Sequence, residues 1–127
     1  MSIKLDMIGL AVKDIAKSLD FYRKLGIEVP DTFEGPYCEA TLPGGIRLSW
    51  NDIEMIRSIG GWFEPAGQRV SMAFLCESPA AVDAKYAEMM EAGYKGEKEP
   101  WDAFWGQRYA QVEDPDGNVV DLFAWLR

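Results

Sequence analysis

The same order of elements occurs twice along this chain, and that duplication narrows the possible folds more than any other feature. Leu5 to Val12 (LDMIGLAV) is a short apolar run that reads as a strand. From Asp14 the period becomes helical. Ile15, Leu19, Tyr22 and Leu25 share a face, Asp14 or Ser18 can cap the start, and Gly26 stands just past the end. Three strands are expected next, at about 27–30, 37–42 and 46–51, with Pro43-Gly44-Gly45 turning the chain between the last two. Residues 52–67 read as a linker or a loop folding over something, with Gly60-Gly61, Pro65 and Gly67 around Trp62-Phe63. The pattern then returns. Arg69 to Cys76 is a strand, and Pro79 to Ala92 a helix with Val82, Tyr86, Met89 and Met90 as its apolar stripe, Ser78 as cap and Gly93 at the end. Strands follow near 94–97, 107–113 and 118–125, the last pair joined by Asp114-Pro115-Asp116-Gly117, a tetrad with turn chemistry.

Each copy holds roughly 60 residues, too few to bury a comfortable core alone. The expectation is therefore one α+β domain of two paired βαβββ modules, about 4–52 and about 68–126 with a linker over about 53–67. Their sheets would curl around a shared cleft, and a site is expected between the modules.

Aromatic residues make up 13% of the chain, with five Trp, which suits either a well-filled core or the walls of a cavity. The formal charge of −8 repels phosphate backbones and anionic lipids, so neither nucleic acid nor membrane is an expected partner. A cationic ligand would be welcome, although net negative charge also serves solubility alone. Cys38 and Cys76 lie in apolar strand-like stretches and read as free thiols. The opening MSIKLDMIGLAV has no basic region followed by a long apolar run, and no stretch approaches the roughly 20 apolar residues that span a bilayer, so a cytoplasmic location is expected. There is no histidine, which removes histidine-ligated metals and nucleophiles of the Ser/His or Cys/His kind.

The segment IGLAVKDIAKSLDFYRKLGIEV, with Asp14, Ser18, Phe21, Tyr22, Leu25 and Gly26, resembles the opening of the glyoxalase/bleomycin-resistance/extradiol-dioxygenase family, the vicinal-oxygen-chelate superfamily. SMAFLCESPAAVDAKYAEMMEAGY resembles its second strand–helix unit. WGQRYAQVEDPDGNVVDLF, with Trp105-Gly106, Arg108 and Asp114 to Asn118, resembles its closing hairpin. The resemblance covers nearly the whole chain. It implies paired βαβββ modules around a cavity and, in most members, a homodimer.

Metal-using members place four ligands on cavity strands, and the matching positions here are Met7, Arg47, Ser71 and Asp121. Met7 offers a soft thioether, Arg47 a permanent positive charge, and Ser71 a weak neutral donor. One carboxylate cannot hold a divalent ion alone, so neither a metal nor another cofactor is expected. By strand alternation Leu5, Met7, Gly9 and Ala11 would line the cavity while Ile8, Leu10 and Val12 pack on a helix; Arg47 and Ser49 share a face, as do Ser71 and Ala73, and Asp121, Phe123 and Trp125. Arg47 and Asp121 could pair with each other or bind a ligand, since a buried charge must be answered. Trp62 and Phe63 in the linker, and Trp101, Phe104 and Trp105 in a loop before the closing hairpin, could wall a flat organic ligand; alternatively Trp105 plugs a barrel and Trp62 packs at a dimer interface.

What the resemblance implies for function is metal-independent binding of a small aromatic or cationic molecule in the inter-module cleft, as in bleomycin-resistance proteins. The expected contacts are Met7, Arg47, Ser71, Trp62, Phe63, Phe104, Trp105, Tyr109, Asp121 and Phe123. The alternative is a lyase, isomerase or dioxygenase-like enzyme with a degenerate metal site. Asp121 would then be the acid–base candidate, with Tyr109 or Tyr37 behind it. A third reading is a regulatory module that binds a partner protein through its aromatic loops.

Overall fold

The computed structural model describes residues 4–60 and 70–127, so Trp62 and Phe63 lie outside the described residues. The chain divides into two compact units, Met1–Glu64 and Pro65–Arg127. Each carries a mixed sheet, and the architecture is α+β.

The first unit runs β1 (Met7–Val12), α1 (Ile15–Leu25), β2 (Tyr37–Thr41), β3 (Arg47–Asp52) and α2 (Ile53–Ile59). Its sheet has the order β1-β3-β2, with β1 parallel and β2 antiparallel to the central β3. Asp14 caps α1 by accepting from the Lys17 amide at 3.1 Å. The helix ends at Gly26 in the left-handed region, φ 118°, with the amides of Gly26 and Ile27 closing onto the Tyr22 and Arg23 carbonyls. The face of α1 set by Ile15, Leu19, Tyr22 and Leu25 is buried, as the helical period requires. It meets Leu48 and Trp50 of β3, where the Trp50 indole N–H donates to Ser18 Oγ at 3.0 Å with both side chains fully buried.

Two expectations fail in this unit. Residues 27–30 are not a strand. Ile27 is tied to the helix end, and the Arg23 guanidinium donates to the Pro30 carbonyl at 3.0 Å, which holds this short proline-ended segment beside α1. Residues 53–59, read as part of a linker, form α2, capped by Asp52 through the Glu54 amide at 2.8 Å.

The second unit runs β4 (Met72–Leu75), α3 (Pro79–Glu91), β5 (Lys95–Ala103), β6 (Gln107–Glu113) and β7 (Val119–Trp125). Its sheet order is β4-β7-β6-β5, with β4 parallel to β7 and the other neighbours antiparallel. Ser78 caps α3 and Pro79 opens it, the arrangement its sequence calls for. Val82 and Met89 of the helix stripe pack on Ala110, Val112, Val120, Leu122 and Ala124, all buried. Gly96 makes this contact close: a Cβ there would stand 2.2 Å from the Tyr86 hydroxyl. The parallel pair followed by an antiparallel strand repeats the topology of the first unit, with β5 as the added strand.

Strand β5 is also longer than the expected 94–97. Register shifts on either side of Lys98 take it past Pro100, a residue tolerated on an edge strand or at a bulge. Trp101, expected in a loop, therefore sits in the sheet opposite Tyr109.

Candidate functional site

Strand alternation gives each sheet a helix-covered face and a second face, and the strand candidates Met7, Arg47, Tyr109, Asp121 and Phe123 lie on the second. In the first unit β1 exposes Met7 and Gly9, while Val12 at its end is fully buried. Gly9 leaves room for two polar side chains, since a Cβ there would lie tightly, 3.2 Å from both Ser49 Oγ and Asn51 Nδ2. Ser49 is fully buried, and Asn51 Nδ2 bridges it at 3.0 Å to the Leu10 carbonyl at 3.2 Å. Beside this knot stands Arg47. Its Nη1 donates to both Glu39 oxygens at 2.9 and 2.7 Å, and its Nη2 and Nε donate to Asp6 Oδ2 at 2.6 and 3.2 Å. The Tyr37 hydroxyl donates to Glu39 at 2.8 Å and reaches Met7 Sδ at 3.5 Å.

The guanidinium hydrogen bonds hold the Asp6 and Glu39 carboxyls below their ordinary range, and the same carboxylates raise the Arg47 pKa. The bond to Glu39 raises the Tyr37 phenol. The need for something to answer Arg47 is thus met inside its own unit. Glu39 and Asp6 were not singled out from sequence, although Glu39 has the same parity as Tyr37 and belongs to the strand beside Arg47.

In the second unit the register of four strands places two rows side by side. One is Ala73, Asp121, Gln111 and Lys98; the other is Leu75, Phe123, Tyr109 and Trp101. Gln111 Nε2 donates to Asp121 Oδ1 at 2.9 Å and reaches the Tyr109 hydroxyl at 3.4 Å. Desolvation, then a hydrogen bond to Asp121, pushes the Tyr109 phenol up to about 12. The Trp105 ring packs edge-on against Trp101 (5.6 Å between centroids) and Tyr109 (5.1 Å), and its indole N–H donates to Gln107 at 2.8 Å. The Trp101 indole N–H is buried with no acceptor among the described residues. Lys98 Nζ lies 5.0 Å from the centre of the Trp101 ring.

Of the sequence-selected residues, Tyr109, Asp121, Phe123 and Trp105 thus come together, and Met7 and Arg47 share one face of the first unit. Phe104 touches Trp105 edge-on but is 90% exposed, and Ser71 is exposed just ahead of β4 rather than on it. Gln111, Trp101 and Lys98 complete the second face. Gln111 follows Tyr109 at strand spacing, whereas the bulges that admit Trp101 and Lys98 leave no such periodic mark. Cys38 is buried, Cys76 is half-buried and both are free thiols. Among the described residues no group of three or more Cys, Asp or Glu side chains is placed to hold a metal ion, and no helix is long and apolar enough to cross a membrane.

Residues 4–122 match the model of the Glyoxalase/Bleomycin resistance protein/Dioxygenase superfamily. The uncharacterized protein YraH of Bacillus subtilis (strain 168) is 30% identical, with 98% of this chain and 100% of that protein covered. A crystal structure of a glyoxalase/bleomycin resistance protein/dioxygenase from Nocardioides aligns over 100% of this chain and 86% of its own, at 26% identity and a TM-score of 0.79. A glyoxalase/bleomycin resistance protein/dioxygenase family enzyme from Burkholderia phytofirmans PsJN has the same fold, with a TM-score of 0.80 over 98% of this chain and 100% of its own at 20% identity. With a family match over nearly its whole length and two sheets built on one repeated topology, this chain belongs to the glyoxalase/bleomycin resistance protein/dioxygenase superfamily.

Proposed function

We propose that this chain binds a small aromatic organic molecule without a metal ion, on the aromatic face of the second unit's sheet. The observation that carries the reading is the row Phe123, Tyr109 and Trp101, extended by Trp105 and lying beside the polar row of Asp121 and Gln111. Flat side chains offer large contact area at little entropic cost, and a few polar groups at their edge orient a ligand.

Metal independence rests on the donors at the four matching positions. The Met7 thioether already lies against the Tyr37 hydroxyl, and Arg47 is cationic and bound by two carboxylates. Ser71 is exposed outside β4, which leaves the Asp121 carboxylate as the one hard anionic ligand. Such a set does not fit a retained divalent ion. The enzyme reading would have to use Asp121 and Tyr109. A phenol pushed up to about 12 stays protonated at neutral pH and serves there as a hydrogen-bond donor. Likeness to bleomycin-resistance proteins supports the class of activity; nothing in these residues selects an antibiotic.

Tryptophan fluorescence tests the proposal, since Trp101 and Trp105 stand in the face. Titration with a panel of charged and neutral aromatic compounds should give a saturable change that Trp105→Ala reduces. A flat response to the whole panel would overturn it.

A further inference from the structure

Trp105, Gly106 and Arg108 stand together at the end of the β5–β6 hairpin, and the binding face uses only the first of them. The hairpin closes with Ala103 paired to Gln107. Residues 104–106 make the turn, where the Gly106 amide donates to the Ala103 carbonyl at 3.0 Å and Gly106 adopts φ 94°. This tip has little packing of its own. Phe104 is 90% exposed and Trp105 44%, and the indole N–H donates to Gln107, a side chain of the same tip. The direction in which the tip points is therefore set by whatever holds the two strands beneath it.

Arg108 supplies such a hold. It follows Gln107 and precedes Tyr109, so strand alternation turns it to the helix-covered side. Its Nε and Nη2 donate to Asp83 Oδ1 and Oδ2 of α3 at 2.9 and 3.2 Å, and its Nη1 donates to Asp102 Oδ1 at 3.1 Å, directly opposite in β5. One guanidinium thus joins α3, β5 and β6 at the residue pair next to the one that closes the turn. The Gly106 carbonyl adds a tie to the chain beyond β7, accepting from the Leu126 amide at 3.0 Å. Stability accounts poorly for the clamp. The Asp83 and Asp102 side chains are 49% and 65% exposed, and ion pairs open to water contribute little. The helix is already seated on the sheet through Val82 and Met89, both fully buried.

We infer that Arg108 is a positioning residue. From the helix side of the sheet it fixes the end of the hairpin, so that the Trp105 indole is held against Trp101 and Tyr109 on the other side. This role rests on the binding reading above for the use of that face, and adds the residue that orients its indole. A planar fork suits the task, because it fixes direction as well as distance; an ammonium at the same position would offer a point charge. A ring in edge contact with two others, at 5.6 and 5.1 Å between centroids, keeps that arrangement only if its backbone does not tilt.

Near-ultraviolet circular dichroism reads the fixed packing of aromatic rings and needs no ligand. Recorded on the whole chain well below the melting temperature, Arg108→Met should alter the aromatic bands. The same substitution in a Trp105→Phe background should leave them unchanged. Asp114→Ala, at the far end of β6, is the control for lost stability and should not alter the bands. If Arg108→Met does not fold, Asp83→Asn loosens the same clamp at an exposed carboxylate and is read in the same way. Benzyl alcohol, titrated by calorimetry, should bind about fivefold or more weakly to the Arg108→Met chain. Unaltered bands, or a change that persists without Trp105, overturn the positioning role whether or not benzyl alcohol binds. Altered bands that depend on Trp105 support it; if benzyl alcohol then binds neither chain, or both alike, the binding reading is what fails.

Discussion

Arg47 and Tyr109 show how charge neighbours in one case, and burial first in the other, set the behaviour of single groups. Arg47 depresses the Asp6 and Glu39 carboxyls, so the stability they contribute is present above the ordinary carboxylate range and is lost as pH falls through their lowered values. Arg47→Met should accordingly lower the melting temperature at neutral pH, and the gap to the wild type should close in acid. A gap that persists unchanged would mean that the ion pairs contribute nothing. Tyr109 has the opposite sign. Its raised pKa makes the folded chain hold a proton that the unfolded chain releases, so this contribution is complete below the ordinary tyrosine value of 10.0 and disappears as pH rises through about 12. Phenolate absorbance should show a late step that Tyr109→Phe abolishes and Asp121→Asn moves part of the way down. The ordering of such groups was only partly legible beforehand. Parity alone put Asp121 and Phe123 on one face, but which carboxylates Arg47 meets depends on side-chain reach, and it binds Asp6, just ahead of β1, and Glu39 of β2.

Turns and caps were the most readable elements, because their chemistry is local. The tetrad after β6 is an example: Asp114 is buried, and its carboxylate accepts from the Asp116 and Asn118 amides at 2.9 and 2.8 Å and from Asn118 Nδ2 at 2.9 Å. Gly117 completes the turn at φ 86°. Asp114→Ala strands three donors, and a loss of about 2–3 kcal/mol is expected in denaturant unfolding. A loss under about 0.5 kcal/mol would mean that water replaces the carboxylate. The cap Ser78 and the terminator Gly26 were equally plain in the sequence, which left the first cap between Asp14 and Ser18; Asp14 takes it. Less local elements were not. The segment 27–30 has strand composition, but its fate was decided by hydrogen bonds to the end of α1. The helix α2 hid in a stretch dominated by the Gly and Pro that follow it. Strand β5 gained length from bulges, which depend on the partner strand as much as on its own residues.

At the scale of the whole molecule the duplicated order of elements was the strongest clue, since two similar half-domains each need a mixed sheet with a helix on one side. That expectation and the family agree with the two sheets and their shared parallel–antiparallel topology. The binding chemistry was less legible, because the side chains that shape the second face come from four strands and a turn, whose relative register only folding establishes. The central claim is that this face takes up an aromatic molecule with no metal ion between protein and ligand. Its most direct test is one calorimetric isotherm for the tightest binder of the aromatic panel, measured before and after exhaustive chelation with metal content followed in parallel. The account predicts saturable binding with the same affinity in both samples and metal well below one ion per chain. Binding that vanishes on chelation and returns with a divalent ion would contradict it.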